Sequence, residues 1–577
     1  MIKIRTKTSF YKADISSQLV VLLHRYRQTN LSMQHVAAPV RKEFPQADIY
    51  APSLPAGLVS CADPQQIAEE IVDDISNLRH IDSYEKIILV GHSMGAVLVR
   101  KIWALAHGAL PDATVQKTEA RWWAHKIERI ILLAAVNRGW MVSSAQEPTT
   151  RLLWTLGMAW GHFCRYILRK EPLILNFRRG APFLTVVRLQ CLAVERGLDK
   201  RPVTVQLIGT DDNFVAPTDN LDLATGKNFY YLEVANATHE GVVELTDAGD
   251  PHGAYQRFRS ALMDDDESLK EKSLAPEDVF DGVDEIDDFE SGTLPEKNLE
   301  VKHVVFVIHG IRDRGFWTRR IARKIRSAAN AKGERCRAVT STYGFFPMGP
   351  FLLPWVRRGK VEWLLDQYVT AKSLYPEARF SYVGHSNGTY LLAKALELCR
   401  PLVFEEGVVF AGSVVRRNFE WEKYVPHRVS RMINYVASAD WVVAIFPYGL
   451  ERLRLQDVGG AGHVGFTYEK KGKVTNVHYA KGSHSAALAP DRWQEMADFV
   501  LEGHKPTNPI PGVEQDTLNV WKGRLAPVIL IVITVIVLGF AALMLAAIGK
   551  LGGIWALATT LAFCLYLYLL RVVLTRA

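Results

Sequence analysis

The chain has 577 residues, a formal net charge of +8 and a hydrophobic fraction of 48%. That length is too great for a single hydrophobic core, so two or more domains are expected. Six scattered cysteines with no C-x-x-C pair argue against a disulfide framework or a zinc site and fit a reducing compartment. The charge is uneven: 15 acidic residues against three lysines lie between Asp264 and Glu300, a local balance of −12 that leaves +20 on the rest. Such a basic body favours membrane lipids with anionic headgroups as partners. No DNA- or RNA-binding motif accompanies the charge, so nucleic acid is not expected.

In chain order, the opening Met1-Ile-Lys-Ile-Arg-Thr-Lys7 reads as a strand, because no apolar signal core follows it. A first β/α region spans 1–262, with strands expected at 18–23, 48–50, 86–90, 129–134, 203–208 and 229–234. Helical patterns at 64–78 and 96–106 lie between them. This alternation predicts a mostly parallel sheet covered by helices on both faces. An insertion at about 140–202 suits a cap. The acidic stretch 263–298 has few aromatics and no period, and reads as a flexible linker. A second β/α region follows at 299–505, with strands at 304–308, 337–341, 380–383, 407–410 and 432–437. Residues 506–520, with three prolines, form another linker. The segment 521–577 holds two uncharged runs, 525–548 and 554–570. They read as a transmembrane hairpin with both ends, and both globular domains, on the cytoplasmic side.

The pentapeptide Gly-His-Ser-x-Gly occurs twice, as Gly91-His92-Ser93-Met94-Gly95 and Gly384-His385-Ser386-Asn387-Gly388. Each ends a β-run and opens an Ala/Leu-rich helix, the context of a nucleophile elbow. At ordinary Gly and Ser frequencies about 0.2 motifs of the form G-x-S-x-G are expected by chance in a chain of this length, so two in that context point to tandem hydrolase domains.

Serine chemistry needs a histidine to take the hydroxyl proton and a carboxylate to orient that histidine. In the first region the strand at 203–208 runs into Asp211-Asp212-Asn-Phe-Val215. Asp212 fits the G-x-x-D-x-x-V spacing for the acid, with Asp211 as fallback. His239 lies on the loop after the last strand, where the base belongs. With Ser93 it completes the chain order Ser, acid, His.

These features resemble the α/β-hydrolase superfamily. The segment Ile130-Ile-Leu-Leu-Ala-Ala-Val-Asn137-Arg-Gly139-Trp140 is similar to one found in GPI-inositol deacylase-like and serine-active-site-containing lipases. The resemblance covers most of 18–245. It implies an oxyanion hole built from the backbone N–H groups of Tyr26 and Met94. Such enzymes read His-Gly after the first strand, whereas this chain reads His24-Arg25-Tyr26, which puts the first site's loop path in doubt. The cap sets Trp140, Trp154, Met158, Trp160, Phe163 and Tyr166 beside Arg151, Arg165, Arg169, Lys170, Arg178 and Arg179. That mixture suits either an interfacial lid or a cap packed on the core.

The second region has the His-Gly that the first lacks, at His309-Gly310. By the same resemblance its oxyanion donors are the N–H groups of Ile311 and Asn387. Asp440 repeats the D-x-x-V pattern and is the acid candidate. His484 is the expected base, with His463 as rival. Only 54 residues separate Ser386 from Asp440, against 119 between Ser93 and Asp212, leaving no room for a large cap. The apolar, proline-broken segment from Tyr343 to Arg358 suits an acyl-chain groove, a bilayer contact or a buried loop.

The expected protein is therefore a membrane-anchored serine hydrolase with two α/β-hydrolase folds. It would cleave carboxylic esters, lipid-like ones above all, with no metal or cofactor required. Two other readings stand beside it. In one, only the Ser386 domain is catalytic and the first is a degenerate binding or gating domain. In the other, both domains are pseudo-hydrolases on a membrane scaffold.

Overall fold

The structure is a computed structural model. It describes residues 9–11, 16–78, 80–142, 148–212, 214–215, 222, 228–246, 250, 253–274, 297–313, 315–340, 342–478, 482, 484–506, 517–550 and 553–576. The chain divides into two compact units. One comprises residues 1–296 with 365–374 and 398–401, the other 297–364 with 375–397 and 402–577.

The first half contains β1 (Ser9–Tyr11), β2 (Gln18–Leu23), α1 (Gln34–Glu43), β3 (Asp48–Ala51), α2 (Pro64–Ser76), β4 (Lys86–His92), α3 (Met94–Ala106), β5 (Ile127–Leu133), α4 (Pro148–Tyr166), α5 (Pro182–Gly197), β6 (Val203–Gly209), β7 (Phe229–Val234), α6 (Ala254–Met263) and α7 (Asp266–Lys272). The seven strands form one sheet in the order β1-β3-β2-β4-β5-β6-β7, parallel throughout except for β1. Leu19, Val20, Val21, Leu22 and Leu23 are all fully buried, because helices cover both faces. Residues of β2 and β4 accordingly divide between two apolar clusters, one on each side of the sheet.

The second half contains β8 (Val301–Ile308), α8 (Phe316–Asn330), β9 (Arg335–Val339), α9 (Met348–Phe351), α10 (Pro354–Leu374), β10 (Arg379–His385), α11 (Asn387–Leu398), β11 (Phe404–Ala411), β12 (Val429–Val436), α12 (Trp441–Arg452), α13 (Ala461–Val464), β13 (Val474–His478), α14 (Trp493–Glu502), α15 (Thr517–Lys550) and α16 (Gly553–Arg576). Its six-stranded sheet is wholly parallel, in the order β13-β12-β11-β10-β8-β9. Read from the other edge, this is the same order of connections as β3-β2-β4-β5-β6-β7. Both halves thus carry helix-covered, parallel α/β architecture of the expected kind.

Each strand expected between residues 18 and 437 forms. The two that carry serines run on through Gly-His, because the elbow begins only at the serine. Sequence patterning misses β13, whose Val-Thr-Asn-Val-His has just two apolar residues. The strand expected at 1–7 lies outside the described residues.

The acidic stretch begins as ordered structure rather than as linker. Asp265 caps α7 by accepting from the Ser268 N–H at 2.9 Å, Leu269 is fully buried, and the Leu274 N–H donates to Tyr231 O at 2.8 Å. One apolar residue among charges gave no periodic signal. At the C-terminus, Thr517–Lys550 is long and apolar enough to cross a membrane. The following helix carries only a shorter apolar stretch, Leu557–Val572. The two helices touch where Tyr566 O–H donates to Val537 O at 3.0 Å.

Candidate active site

Ser93 and Ser386 occupy equivalent turns, directly after β4 and β10. Both have left-handed backbones, with φ of 54° and 51°, which a non-glycine residue adopts only when its surroundings force it. Close packing supplies that force. A Cβ on Gly95 would lie 2.3 Å from Leu23 O, and one on Gly388 would lie 2.5 Å from Ile308 O. The glycine after each serine therefore lets the elbow helix start hard against the end of the neighbouring strand.

In the first unit Asp212 and His239 are brought together. The His239 Nδ1–H donates to Asp212 Oδ2 at 2.7 Å, while Asp212 Oδ1 accepts from the Phe214 and Val215 N–H groups at 2.9 Å each. The carboxylate is thereby bonded on both oxygens. Asp211, the fallback, is exposed and its backbone N–H donates to Ala237 O. His92, within the motif, has a role that sequence reading missed. Its Nε2–H donates to the carbonyl of His239 at 3.0 Å. Burial and the neighbouring His239 hold the His92 pKa well below its ordinary value, so it is a fixed neutral donor that positions the loop carrying His239.

His24 directly follows β2 and shapes the next turn. Its Nε2 accepts from the Leu54 N–H at 2.8 Å, so Nδ1 carries the proton and donates to Arg25 O at 2.8 Å. Burial keeps it neutral. That carbonyl is thus tied down by the imidazole of the preceding residue. Arg25, the departure from His-Gly, has a partner. Its guanidinium pairs with Glu240, the residue after His239. A separation of 215 residues hides such a pair from sequence reading.

Ser93 and His239 open onto a cavity of about 760 Å³. That volume lies within the range of small-ligand pockets. Its walls are mainly apolar. Trp140 and Trp154 pack with ring centroids 4.4 Å apart, and Met158, Ile174 and Phe177 continue the lining, while Arg25, Tyr26 and Glu240 line it too. Helix α4 has a cavity-facing side and a solvent-facing side, with Trp160 reaching both. Trp154, Met158 and Cys164 line the cavity or the core. Leu152, Trp160 and Phe163 stay exposed.

The second unit repeats the geometry. His484 Nδ1–H donates to Asp440 Oδ2 at 2.7 Å, and Asp440 Oδ1 accepts from the Val443 N–H at 3.0 Å as the N-cap of α12. His385 Nε2–H donates to His484 O at 3.3 Å, and burial pushes the His385 pKa down to about 3. His463, the rival base, is buried elsewhere, 3.0 Å from where a Cβ on Gly523 would stand.

Ser386 itself is buried, whereas Ser93 is partly exposed. A Cβ on Gly310 would lie 2.6 Å from Ser386 Cβ, so only glycine fits there. Tyr343 braces this turn. Its O–H donates to His309 O at 2.8 Å and accepts from Asn387 Nδ2 at 3.2 Å. The Arg312 N–H donates to Phe346 O at 2.9 Å. In the proline-broken segment Tyr343, Phe346, Phe351 and Arg357 are therefore buried anchors, and much of the remainder belongs to α9 and α10. Phe345, Leu353 and Trp355 are its exposed apolar residues.

The first unit, with its mostly parallel sheet, elbow serine and Asp–His pair after the last two strands, has the α/β-hydrolase fold. In agreement, residues 20–261 match the model of the alpha/beta hydrolase family. No curated protein matches the chain. Among solved structures, a monoacylglycerol lipase of Paleococcus ferrophilus is 17% identical, over 47% of this chain and 100% of the lipase, at a TM-score of 0.28. A thermophilic esterase from Thermogutta terrifontis is 15% identical, over 47% and 95%, at 0.26. A bacterial membrane phospholipase A is 14% identical, over 46% and 87%, at 0.27.

Proposed function

We propose that the protein is a membrane-anchored serine hydrolase that cleaves carboxylic esters of lipid-like substrates, with Ser93 as its principal nucleophile. The observation that carries this reading is the apolar 760 Å³ cavity that ends on Ser93 and His239. Ser93 Oγ attacks the ester carbonyl and His239 takes its proton. Asp212 holds the imidazole with Nδ1 protonated and stabilises the imidazolium that forms. The N–H groups of Tyr26 and Met94 hold the oxyanion. The histidine then returns its proton to the leaving alcohol, and water hydrolyses the acyl-enzyme. The acyl chain occupies the Trp140–Trp154 side of the cavity.

The second domain carries the same machinery in Ser386, Asp440 and His484, with oxyanion donors at Ile311 and Asn387. Its nucleophile is buried, beside the turn that Tyr343 braces through His309 and Asn387. The reading in which only the Ser386 domain is catalytic loses support, because the open, ligand-sized cavity belongs to Ser93. The apolar Thr517–Lys550 supports a membrane anchor, with α16 returning as the second arm and the globular domains on the cytoplasmic side. Membrane lipids with anionic headgroups are the expected surroundings.

A fluorophosphonate probe applied to the full chain in detergent tests the assignment. Labelling of the Ser93 peptide, lost in Ser93→Ala, is expected. A folded chain in which neither serine is labelled would sink it. Hydrolysis of long-chain esters that persists unchanged in Ser93→Ala and stops in Ser386→Ala would return the activity to the second domain.

A further inference from the structure

Away from both serines, the second unit holds an open cavity of about 620 Å³ with three arginines in its walls, Arg417, Arg452 and Arg524. They come from three segments: the loop after β11, the end of α12 and the start of α15. Among the described residues Glu451 is the only carboxylate in the lining, so the formal balance of those walls is +2. Its two oxygens are taken by backbone, accepting from the Arg417 and Gly460 N–H groups at 2.9 Å each. Among the described residues, none of the three guanidiniums forms a salt bridge. Arg417 Nε is buried and has no hydrogen-bond partner among the described residues. A buried N–H left in that state is costly, so an acceptor is wanted at this point.

The guanidiniums are held in place by other means. Arg417 and Arg452 each lie 5.9 Å from the Tyr448 ring, and Arg524 lies 5.4 Å from the Trp521 ring. Arg452 also donates to Arg524 O at 2.7 Å. Arginines resting beside aromatic rings are suited to planar, multidentate recognition of phosphate. The position in the sequence then fixes the source of that phosphate. Arg524 is the last charge before the uncharged run 525–549, and Trp521 precedes it by one helical turn. A cationic cavity with an adjoining tryptophan at the mouth of an apolar span lies at the level of lipid headgroups.

We propose that this cavity binds the phosphate-bearing headgroup of an anionic membrane lipid. The proposal rests on reading Thr517–Lys550 as a membrane span and is independent of the hydrolase chemistry. It gives the basic character of the chain one defined receptor site.

The test uses the full chain in a non-ionic detergent, titrated with phosphatidic acid, phosphatidylcholine or inorganic phosphate and read by native mass spectrometry. One phosphatidic acid is expected to be retained in preference to phosphatidylcholine. Arg417→Gln, Arg452→Gln and Arg524→Gln should each weaken it about fivefold, with larger losses in combination. Arg452 and Arg524 are exposed, so their single variants keep the fold intact. A charge-matched control, Arg320→Gln with Arg323→Gln and Lys324→Gln on the exposed face of α8, should leave retention unchanged. Equal affinity for phosphatidylcholine, undiminished retention in the arginine variants or an equal loss in the control would each overturn the site. Competition by inorganic phosphate at equal concentration would overturn its assignment to a lipid. A chain that stays in solution without detergent and never enters vesicles refutes the span, a result separate from these.

Discussion

Replacing Asp212 by Asn probes the first site most sharply, because the hydrogen bonds around that residue decide how the amide must sit. Asp212 now accepts on both oxygens, from two backbone N–H groups on one side and from His239 on the other. An amide can accept on one side only. Turning its NH2 toward Phe214 and Val215 would forfeit two bonds and leave two backbone donors facing a third, at about 1–3 kcal/mol for each lost bond. Turning its NH2 toward His239 keeps both backbone bonds and needs only that the imidazole move its proton from Nδ1 to Nε2. The second arrangement wins. It leaves Nε2 protonated, unable to take the Ser93 proton. A tautomer fault of this kind costs about 10,000-fold in rate, or about 5.5 kcal/mol in the barrier. The assay is fluorophosphonate labelling of the Ser93 peptide in a Ser386→Ala background, followed by mass spectrometry. Asp211→Asn, at an exposed carboxylate, should label at the parent rate. Labelling of Asp212→Asn within about tenfold of the parent would refute the reasoning, as would an equal loss in Asp211→Asn.

Three further outcomes follow from the geometry. Gly310→Ala would set a Cβ 2.6 Å from Ser386 Cβ, forcing the Ile311 N–H out of line. Labelling of Ser386 should fall about 100- to 1,000-fold while Ser93 in the same molecule is unaffected, and unchanged labelling of Ser386 would contradict the oxyanion assignment. Gly157 lines the first cavity, and nothing lies within 4 Å of a Cβ placed there. Gly157→Phe should therefore fill acyl space without clashing, and removing a glycine from a helix favours folding. Hydrolysis of long-chain esters should drop at least about 10-fold relative to acetyl esters, and an unchanged ratio would move the acyl chain elsewhere. Acid should destabilise the second domain before its carboxylates titrate. Burial lowers His385 from 6.5 to about 3 and His303 from 6.5 to about 4, so the unfolded chain binds more protons in that window. Stability is then full above pH 6.5 and falls as pH drops toward 4, by roughly 4 kcal/mol at pH 5 for the pair. A denaturant midpoint that is flat from pH 7 to 5 would exclude it.

Much of the site was legible because chain order and strand order coincide in this architecture. A serine after the central strand, an acid after the next-to-last and a histidine after the last must meet at one edge of a parallel sheet. That logic selected His484 over His463, and β13 falls between them as it requires, whereas Asp212 was preferred to Asp211 on its G-x-x-D-x-x-V spacing. The supporting residues were not legible. His92 and His385 look like parts of a motif, yet each acts on a carbonyl 147 or 99 residues away. Arg25 reads as a missing glycine, while its partner Glu240 is known only once the loops are side by side.

Nor does the motif report access to the nucleophile. By sequence the second copy has the more conventional oxyanion strand, with Gly310 where the first has Arg25. In space, the conventional turn is the closed one. Gly310 lets the backbone lie directly against Ser386, and Tyr343 fastens it there through His309 and Asn387. Arg25 carries a side chain at the equivalent position, and that side chain points to Glu240 at the wall of an open cavity. The substitution that puts the first site's loop in doubt is therefore accommodated by an ion pair beside His239. Arg25→Gly should test whether that pair matters. If Arg25 only fills space, labelling of Ser93 will be unchanged. If the pair holds the His239 loop in register, labelling will fall and Glu240→Gln will reproduce the loss, with no additional loss in the double variant.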